Sequence, residues 1–434
     1  MNLTELPLEL IDEILKRLDA ISLAKSRQVC RSWLSLHSQP KYKLLWRRAC
    51  FRDIPGDVLI ELTGSGYIDE TPGRLSDSAE NIQVENSSID WKAIYQKWFR
   101  SRHIRKWPSM ITGLKGHRGP VWDVKFSGAD RVVTCGDDGT IRIWDSWSSH
   151  CIAVLSGHLD AVLSISLRQI TGISLNTDIP HDLIVSGSKD CSVKVWNMKK
   201  PNTTAALTCH GHTACVNCVA VIENIAASAS DDCSVRVWDI VTGHCIHTLC
   251  NLGDWVKYVR LWQHDTLLYV TDNTQLGLWS IKHGELLSSL KLADTRGQGY
   301  FPMTPGVQGA VLRGKTALVL THSKGLFAWE NKSDGSNIVH NFSLIGPHSN
   351  SVQRGECLAM HGALAAIGTR SGAVYVYHLE GNWENQFTKV HHVLHGYHDP
   401  VNAVCLDDDG EGPSLVTGGD DGIVRIYRWF PPSI

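Results

Sequence analysis

One segment of this chain occurs four times with small changes: TCGDDGTIRIWD ending at Asp145, SGSKDCSVKVWN at Asn197, SASDDCSVRVWD at Asp239 and TGGDDGIVRIYR at Arg428. Three weaker copies lie between them, LGLWS around Trp279, KGLFAWE around Trp329 and SGAVYVYH around Tyr377, each an apolar strand ending on an aromatic ring. The seven aromatic residues, at 144, 196, 238, 279, 329, 377 and 427, stand 41 to 52 residues apart. Such a period means that no unit buries its apolar face alone, so the units stack on one another to share a core.

That period matches the length of a four-stranded propeller blade, and residues 108 to 434 resemble WD repeats. The first three copies also carry the glycine-histidine pair of that family, Gly116-His117, Gly157-His158 and Gly211-His212. The resemblance implies a mostly β fold, a seven-bladed propeller, with a buried hydrogen-bonded tetrad in each well-formed blade. Its members would be His117, Thr134, Asp138 and Trp144 in the first, His158, Ser186, Asp190 and Trp196 in the second, and His212, Ser228, Asp232 and Trp238 in the third. Every polar member of such a tetrad has a partner, so these are structural residues.

Later copies depart from the pattern. Leu252 replaces the histidine in the fourth, with Tyr269 and Asn273 at the hydroxyl and carboxylate positions. Blades four to six are expected to rely on apolar packing. His348 and Tyr397 stand at the histidine position of blades six and seven, while Thr417, Asp421 and Tyr427 rebuild most of a tetrad in the last. The last blade has only three strands after its own repeat, whereas MITGLKGH (residues 110–117) resembles CIAVLSGH (151–158), the outer strand leading into blade two. Strand 108–114 is therefore expected to close the ring and cover its edge.

Residues 1–52 show helical spacing, with Leu10, Ile11, Ile14, Leu15 and Leu18 on one face. Leu6-Pro7, Glu9, Ile14-Leu15, Leu18, Leu23, Val29-Cys30-Arg31, Trp33 and Trp46 fall at the spaced positions of an F-box, which this module resembles. A helical unit this small is marginal alone, which favours a partner that covers it. Residues 53–90 set nine acids against one base, Arg74, amid glycines and serines, and read as an acidic, solvated linker. In residues 91–107, Trp91, Ile94, Tyr95, Trp98 and Phe99 lie on one helical face, while Lys92, Lys97, Arg100, Arg102, Arg105 and Lys106 form a basic one. The expectation is a spacer helix with an apolar seam and a solvated basic side rather than a nucleic-acid surface.

The net charge of −2 provides no global field for nucleic acid or anionic lipid. No run approaches membrane-spanning length, and the N-terminal stretch MNLTELPLELIDEILKRL has acids inside its apolar pattern, unlike a signal peptide. Thirteen cysteines without disulfide-like spacing point to reduced thiols in the cytosol or nucleus. Cys215-Val-Asn-Cys218 has a zinc-like look, but residues three apart on a strand point to opposite faces, so no metal or other cofactor is expected, and no catalytic motif appears.

An F-box ahead of a WD-repeat ring resembles the substrate receptors of SCF-type ubiquitin ligases. That layout implies a non-catalytic adaptor subunit whose F-box docks on a Skp-type adaptor, and through it a cullin, while the ring holds a protein substrate. The alternative is a WD-repeat scaffold with a docking arm and no ubiquitin transfer. In the family's phosphodegron readers, arginines stand before the tetrad aspartate and after the valine that opens each blade. Here those positions hold Asp137, Lys189, Asp231 and Asp420, and Trp122, Leu163, Asn217, Lys257, Gln353 and Asn402. Two separated lysines supply no bidentate clamp for phosphate, so a neutral or basic segment is expected there, with Trp122 as aromatic anchor.

Overall fold

In the computed structural model, the described residues are 40–63, 89–104, 108–168, 183–198, 204–262, 265–292, 306–313, 316–321, 325–331, 337–343, 355–379, 390–395, 399–408 and 412–430. They form seven antiparallel four-stranded sheets and three helices, α1 (Pro40–Asp53), α2 (Gly56–Thr63) and α3 (Trp91–Arg102). Six sheets use four consecutive strands. In the seventh, strand Met110–Lys115 pairs with Ile423–Arg428 at the outer edge of strands Val401–Asp408 and Pro413–Gly419. The innermost strands touch in sequence order, and the first, Val121–Ser127, meets the last, Val401–Asp408, so the ring is closed. The protein is a seven-bladed propeller.

In five blades the inner ring is tied by the side chain two residues past the opening residue. Asp123 accepts from the Ile165 amide at 3.0 Å, Ser164 accepts from the Val219 amide at 3.3 Å, and Cys218 and Cys357 donate to the Val259 and Val401 carbonyls. Tyr258 donates its hydroxyl proton to the Gln308 carbonyl. Each bond joins one blade's first strand to the next. Between blades, the second strand must lie close to its neighbour's opening valine. An added Cβ at Gly187 or Gly418 would stand 2.6 Å from Val216 Cγ1 or Val121 Cγ1, which is why no side chain fits there.

Ring closure has its own latch. Arg428, 1% exposed, lies 4.0 Å over the Trp147 ring of blade one and donates to the Ser146 carbonyl, while Phe430 stacks on the same tryptophan. Strand Met110–Lys115 then buries Leu114 with Val121, Val424 and Ile426.

The three helices make a second core that is continuous with the ring. Leu45, Trp46, Cys50, Ile54, Val58, Leu59, Ile94, Tyr95 and Trp98 pack together with Ala363 of blade six. Three expectations need correction. The acidic linker does not begin at residue 53: Ile54 is buried just ahead of a helix over 56–63, which buries Val58 and Leu59 despite the flanking acids. The basic side of α3 is not simply solvated either. Arg100 makes a two-pronged ion pair with buried Asp408 of blade seven, at 3.2 and 2.9 Å, and Arg102 lies over Trp98. The helix also stops at Arg102, short of 107. Its start is fixed by Asp90, one of the nine acids of the supposed linker, which accepts from the Lys92 and Ala93 amides.

Three further contacts hold the helical unit to the ring. Arg313, 2% exposed, stands 3.3 Å from Glu61 of α2 and donates to the Gly362 carbonyl, and Glu61 accepts from the Gly362 amide. Ser101 of α3 accepts from the Ala363 amide at 3.2 Å.

Candidate functional site

The tetrads fix where the blade turns lie, and hence the face they build. In blade one the Trp144 indole donates to Thr134 Oγ1 at 2.8 Å; an indole N–H can only donate, so the threonine hydroxyl turns its proton to His117 Nε2, also at 2.8 Å. The other ring nitrogen then carries the hydrogen and donates to Asp138 at 3.1 Å. The same chain runs Trp196–Ser186–His158–Asp190 and Trp238–Ser228–His212–Asp232, with every link between 2.7 and 2.8 Å. Burial lowers the three histidine pKa values despite the facing carboxylates, which suits the neutral ring that the chain requires. Burial alone would raise the Asp190 carboxyl, but bonds from Ser192, the Leu159 amide and His158 overrule it and bring it down to about 2. Asp138→Ala strands His117 and the Arg118 and Thr140 amides; a loss of roughly 1–3 kcal/mol is expected by urea titration, and an unchanged midpoint would contradict the role given to the tetrad.

Blade four solves the same problem without the network. Tyr269, 1% exposed, fills the tetrad position opposite Gly277, where even a Cβ would collide with its ring. In blade seven Tyr427 bonds Thr417, and Asp421 is held by Arg425 at 2.9 Å. His348 and Tyr397 lie outside the described residues.

On the turn side of the ring, the first strand of every blade has a register shift at the residue after its opening position: Val121/Asp123, Val162/Ser164, Val216/Cys218, Val256/Tyr258, Val307/Gly309, Gly355/Cys357 and Val401/Ala403. A bulge re-aims the side chain it inserts. The inserted residues are Trp122, Leu163, Asn217, Lys257, Gln308, Glu356 and Asn402, so seven equivalent side chains ring one face. This register corrects one expectation: Gly355, not Val352, opens blade six, which puts Glu356 in the place expected for Gln353, a residue outside the described set. Gln308 was missed because blade five has no glycine-histidine turn to align on.

The residue that follows each second strand stands beside the inserted one. Trp122 Nε1 donates to Asp137 at 3.3 Å, Asn217 to Asp231 at 2.6 Å and Asn402 to Asp420 at 2.6 Å. Both lysines cross to a neighbouring blade: Lys189 reaches Asp137 at 3.6 Å and lies over the Trp122 ring, and Lys257 reaches Asp231 at 2.8 Å. Leu163 is half-buried beside them. The register adds Asp272 and Arg370 as the equivalent residues of blades four and six, neither legible without it. Burial raises the Asp272 carboxyl above its usual range, with Lys257 pulling the other way. Each tryptophan has a lysine over its ring, Lys257 standing 4.8 Å over Trp255, but Trp122, with its edge bonded as well, is only half-exposed, whereas Trp255 is 51% and Leu159 94% exposed in the loops entering blades four and two.

The F-box positions Leu6, Pro7, Glu9, Ile14, Leu15, Leu18, Leu23, Val29, Cys30 and Trp33 lie outside the described residues; Trp46 is in the helical core. Cys218 is buried while Cys215 is half-exposed, and among the described residues no group of three or more His, Cys, Asp or Glu side chains could hold a metal ion.

Tetrads, bulge ring and strand exchange together define a WD-repeat propeller, and the WD domain, G-beta repeat model matches residues 108–145, 149–197, 204–239 and 388–428. These are blades one, two, three and seven, with the closing strand. The F-box domain model matches residues 3–43, so the chain has the domain content of an F-box/WD-repeat protein. Among curated proteins it is 26% identical over 323 residues to DENN domain and WD repeat-containing protein SCD1 of Arabidopsis thaliana, covering 73% of this chain and 21% of that one. It is 30% identical over 165 residues to F-box/WD repeat-containing protein 7 of Drosophila melanogaster (37% and 11%) and 33% over 177 residues to WD repeat-containing protein pop1 of Schizosaccharomyces pombe (32% and 23%). The chain thus spans less than a quarter of each of these relatives.

Proposed function

We propose that this protein is the substrate-recognition subunit of an SCF-type ubiquitin ligase, its F-box docking on a Skp-type adaptor bound to a cullin and its propeller holding the protein to be modified. The observation that carries this reading is the F-box match immediately ahead of a closed propeller, with a helical unit between them that shares a core with blade six. Such a joint holds the substrate at a set distance from the ubiquitin-loaded enzyme, so the chain contributes proximity and no chemistry of its own. Substrate contact is assigned to the bulge face, with Trp122, Asp137, Leu163, Lys189, Asn217, Asp231, Lys257, Asn402 and Asp420 on its rim. A cytoplasmic or nuclear setting accords with this role, and no helix among the described residues is long and apolar enough to cross a membrane. A WD-repeat scaffold without ubiquitin transfer is the second reading, supported by the long alignment to SCD1, whose name mentions WD repeats and no F-box.

Affinity purification with quantitative mass spectrometry separates the two. The intact chain is expected to bring down adaptor and cullin in near-stoichiometric amount. A variant changed at Leu6, Pro7 and Val29 should lose both and keep its propeller-bound proteins. Absence of adaptor and cullin from the intact sample would decide for the scaffold.

A further inference from the structure

The bulge face carries more information about its ligand than its location. Its two lysines each face an aspartate of the adjoining blade, Lys189 at 3.6 Å from Asp137 and Lys257 at 2.8 Å from Asp231, so the charge of each is offset by a carboxylate. Of the remaining charged residues described at the turn positions, Asp272 and Asp420 are acidic and Arg370 is basic. The surplus is negative. Around this rim stand two large apolar side chains open to solvent, Leu159 and Trp255, 94% and 51% exposed. Trp255 lies next to Asp272, whose amide donates to the Trp255 carbonyl at 2.8 Å. An exposed aromatic beside a carboxylate offers one surface to an alkyl stem and an acceptor to the cation at its end.

We infer that this face docks a basic, unphosphorylated peptide segment, with Trp255 and Leu159 taking its apolar parts and Asp272 and Asp420 its lysine or arginine side chains. The inference rests on the receptor reading above and narrows its substrate class. It moves the anchor from Trp122, which is only half-exposed and whose indole N–H is bonded to Asp137, to Trp255, which is 51% exposed although Lys257 lies 4.8 Å over one face of its ring. A phosphorylated segment fits poorly, because a phosphate brought to either lysine also meets the carboxylate that faces it and finds no bidentate clamp. Nucleic acid is disfavoured for the same reason of sign.

The test is an array of random-sequence twelve-residue peptides graded in net charge, each serine-containing peptide printed with and without phosphate, and probed with the full-length chain bound to its adaptor. Binding is expected to rise with positive charge and to fall on phosphorylation. Asp272→Asn with Asp420→Asn keeps the acceptors for the Val307 amide and Asn402, so the fold is retained; it should weaken the best basic peptides on the order of five-fold and flatten the charge dependence. Trp255→Ala should weaken binding at all charges. Stronger binding to the phosphorylated member of each pair, or a charge dependence untouched by the double variant, overturns the inference. The adaptor content of the same sample is measured in parallel. Loss of adaptor with peptide selectivity intact counts against the ligase reading alone, and the converse against this inference alone.

Discussion

A chain lacking residues 110–115 is expected to lose its cooperative unfolding transition and to aggregate, although the deletion leaves every blade's tetrad or its substitute in place. The six residues pair one for one with 423–428 and bury Leu114 among residues of blades one and seven. Without them Ile423–Arg428 becomes an unpaired edge on a ring that otherwise presents none at that blade, and such an edge is a template for intermolecular pairing. Net stability of a domain is only about 5–15 kcal/mol, so losing a whole strand and its core contact removes a large share of it. The latch of Arg428 on Trp147 would remain, but it ties the ends of two blades and does not replace a ladder. Thermal melting with size-exclusion chromatography measures the outcome, and a synthetic peptide of residues 108–117 added during refolding should restore a soluble ring. A monomeric deletion product with the melting curve of the intact chain would refute closure by strand exchange.

The second large effect is expected at the joint between helices and ring. Arg313 is buried, and its guanidinium serves Glu61 and the Gly362 carbonyl together. Among the described residues, Arg313→Ala leaves Glu61 with His361, 3.8 Å away, as its facing cation, and that only if the ring is protonated. Removing one partner of a fully buried pair costs about 3–5 kcal/mol, and the 21% exposure of the Glu61 side chain makes that an upper bound here. The loss should be local, with faster amide exchange over 56–63 and around Gly362 while the ladders of blades one to three keep their protection. Arg313→Met, which keeps much of the buried volume, should cost less. Unchanged exchange in α2 on Arg313→Ala would show that the apolar core of Trp46, Leu59 and Trp98 holds the joint alone.

In a receptor, that joint decides whether a captured substrate faces the transferring enzyme at a fixed position or swings. A variant that loosens α2 without touching the F-box or the bulge face would therefore separate binding from transfer. Its adaptor and substrate affinities should match those of the intact chain.

The propeller was legible because its determinants are local and repeated. A tryptophan ten residues after a serine or threonine, a carboxylate four after it and a histidine at the preceding turn close a hydrogen-bond chain within one blade, so the spacing alone identifies it. The exchange of strand 110–115 could be expected for the same reason, since its sequence repeats that of 151–156. Where the pattern fades, register could not be read: Gln353 was taken for the rim residue of blade six, and only the pairing of Gly355 with Thr369 shows that Glu356 and Arg370 stand there. Composition misled over 53–63, where acids suggested a linker but a helix buries Val58 and Leu59 in one core with Trp46 and Trp98. Sequence distance hid the joint altogether, since Glu61 and Arg313, or Arg100 and Asp408, meet only once the ring has closed. The sequence by itself thus determined the blades, their number and the family they resemble, because those rest on contacts between near neighbours in the chain. The tertiary structure alone decided which side chains share the rim, which lysines are already neutralised and how the helices are fixed, because those depend on contacts between blades that no repeat encodes.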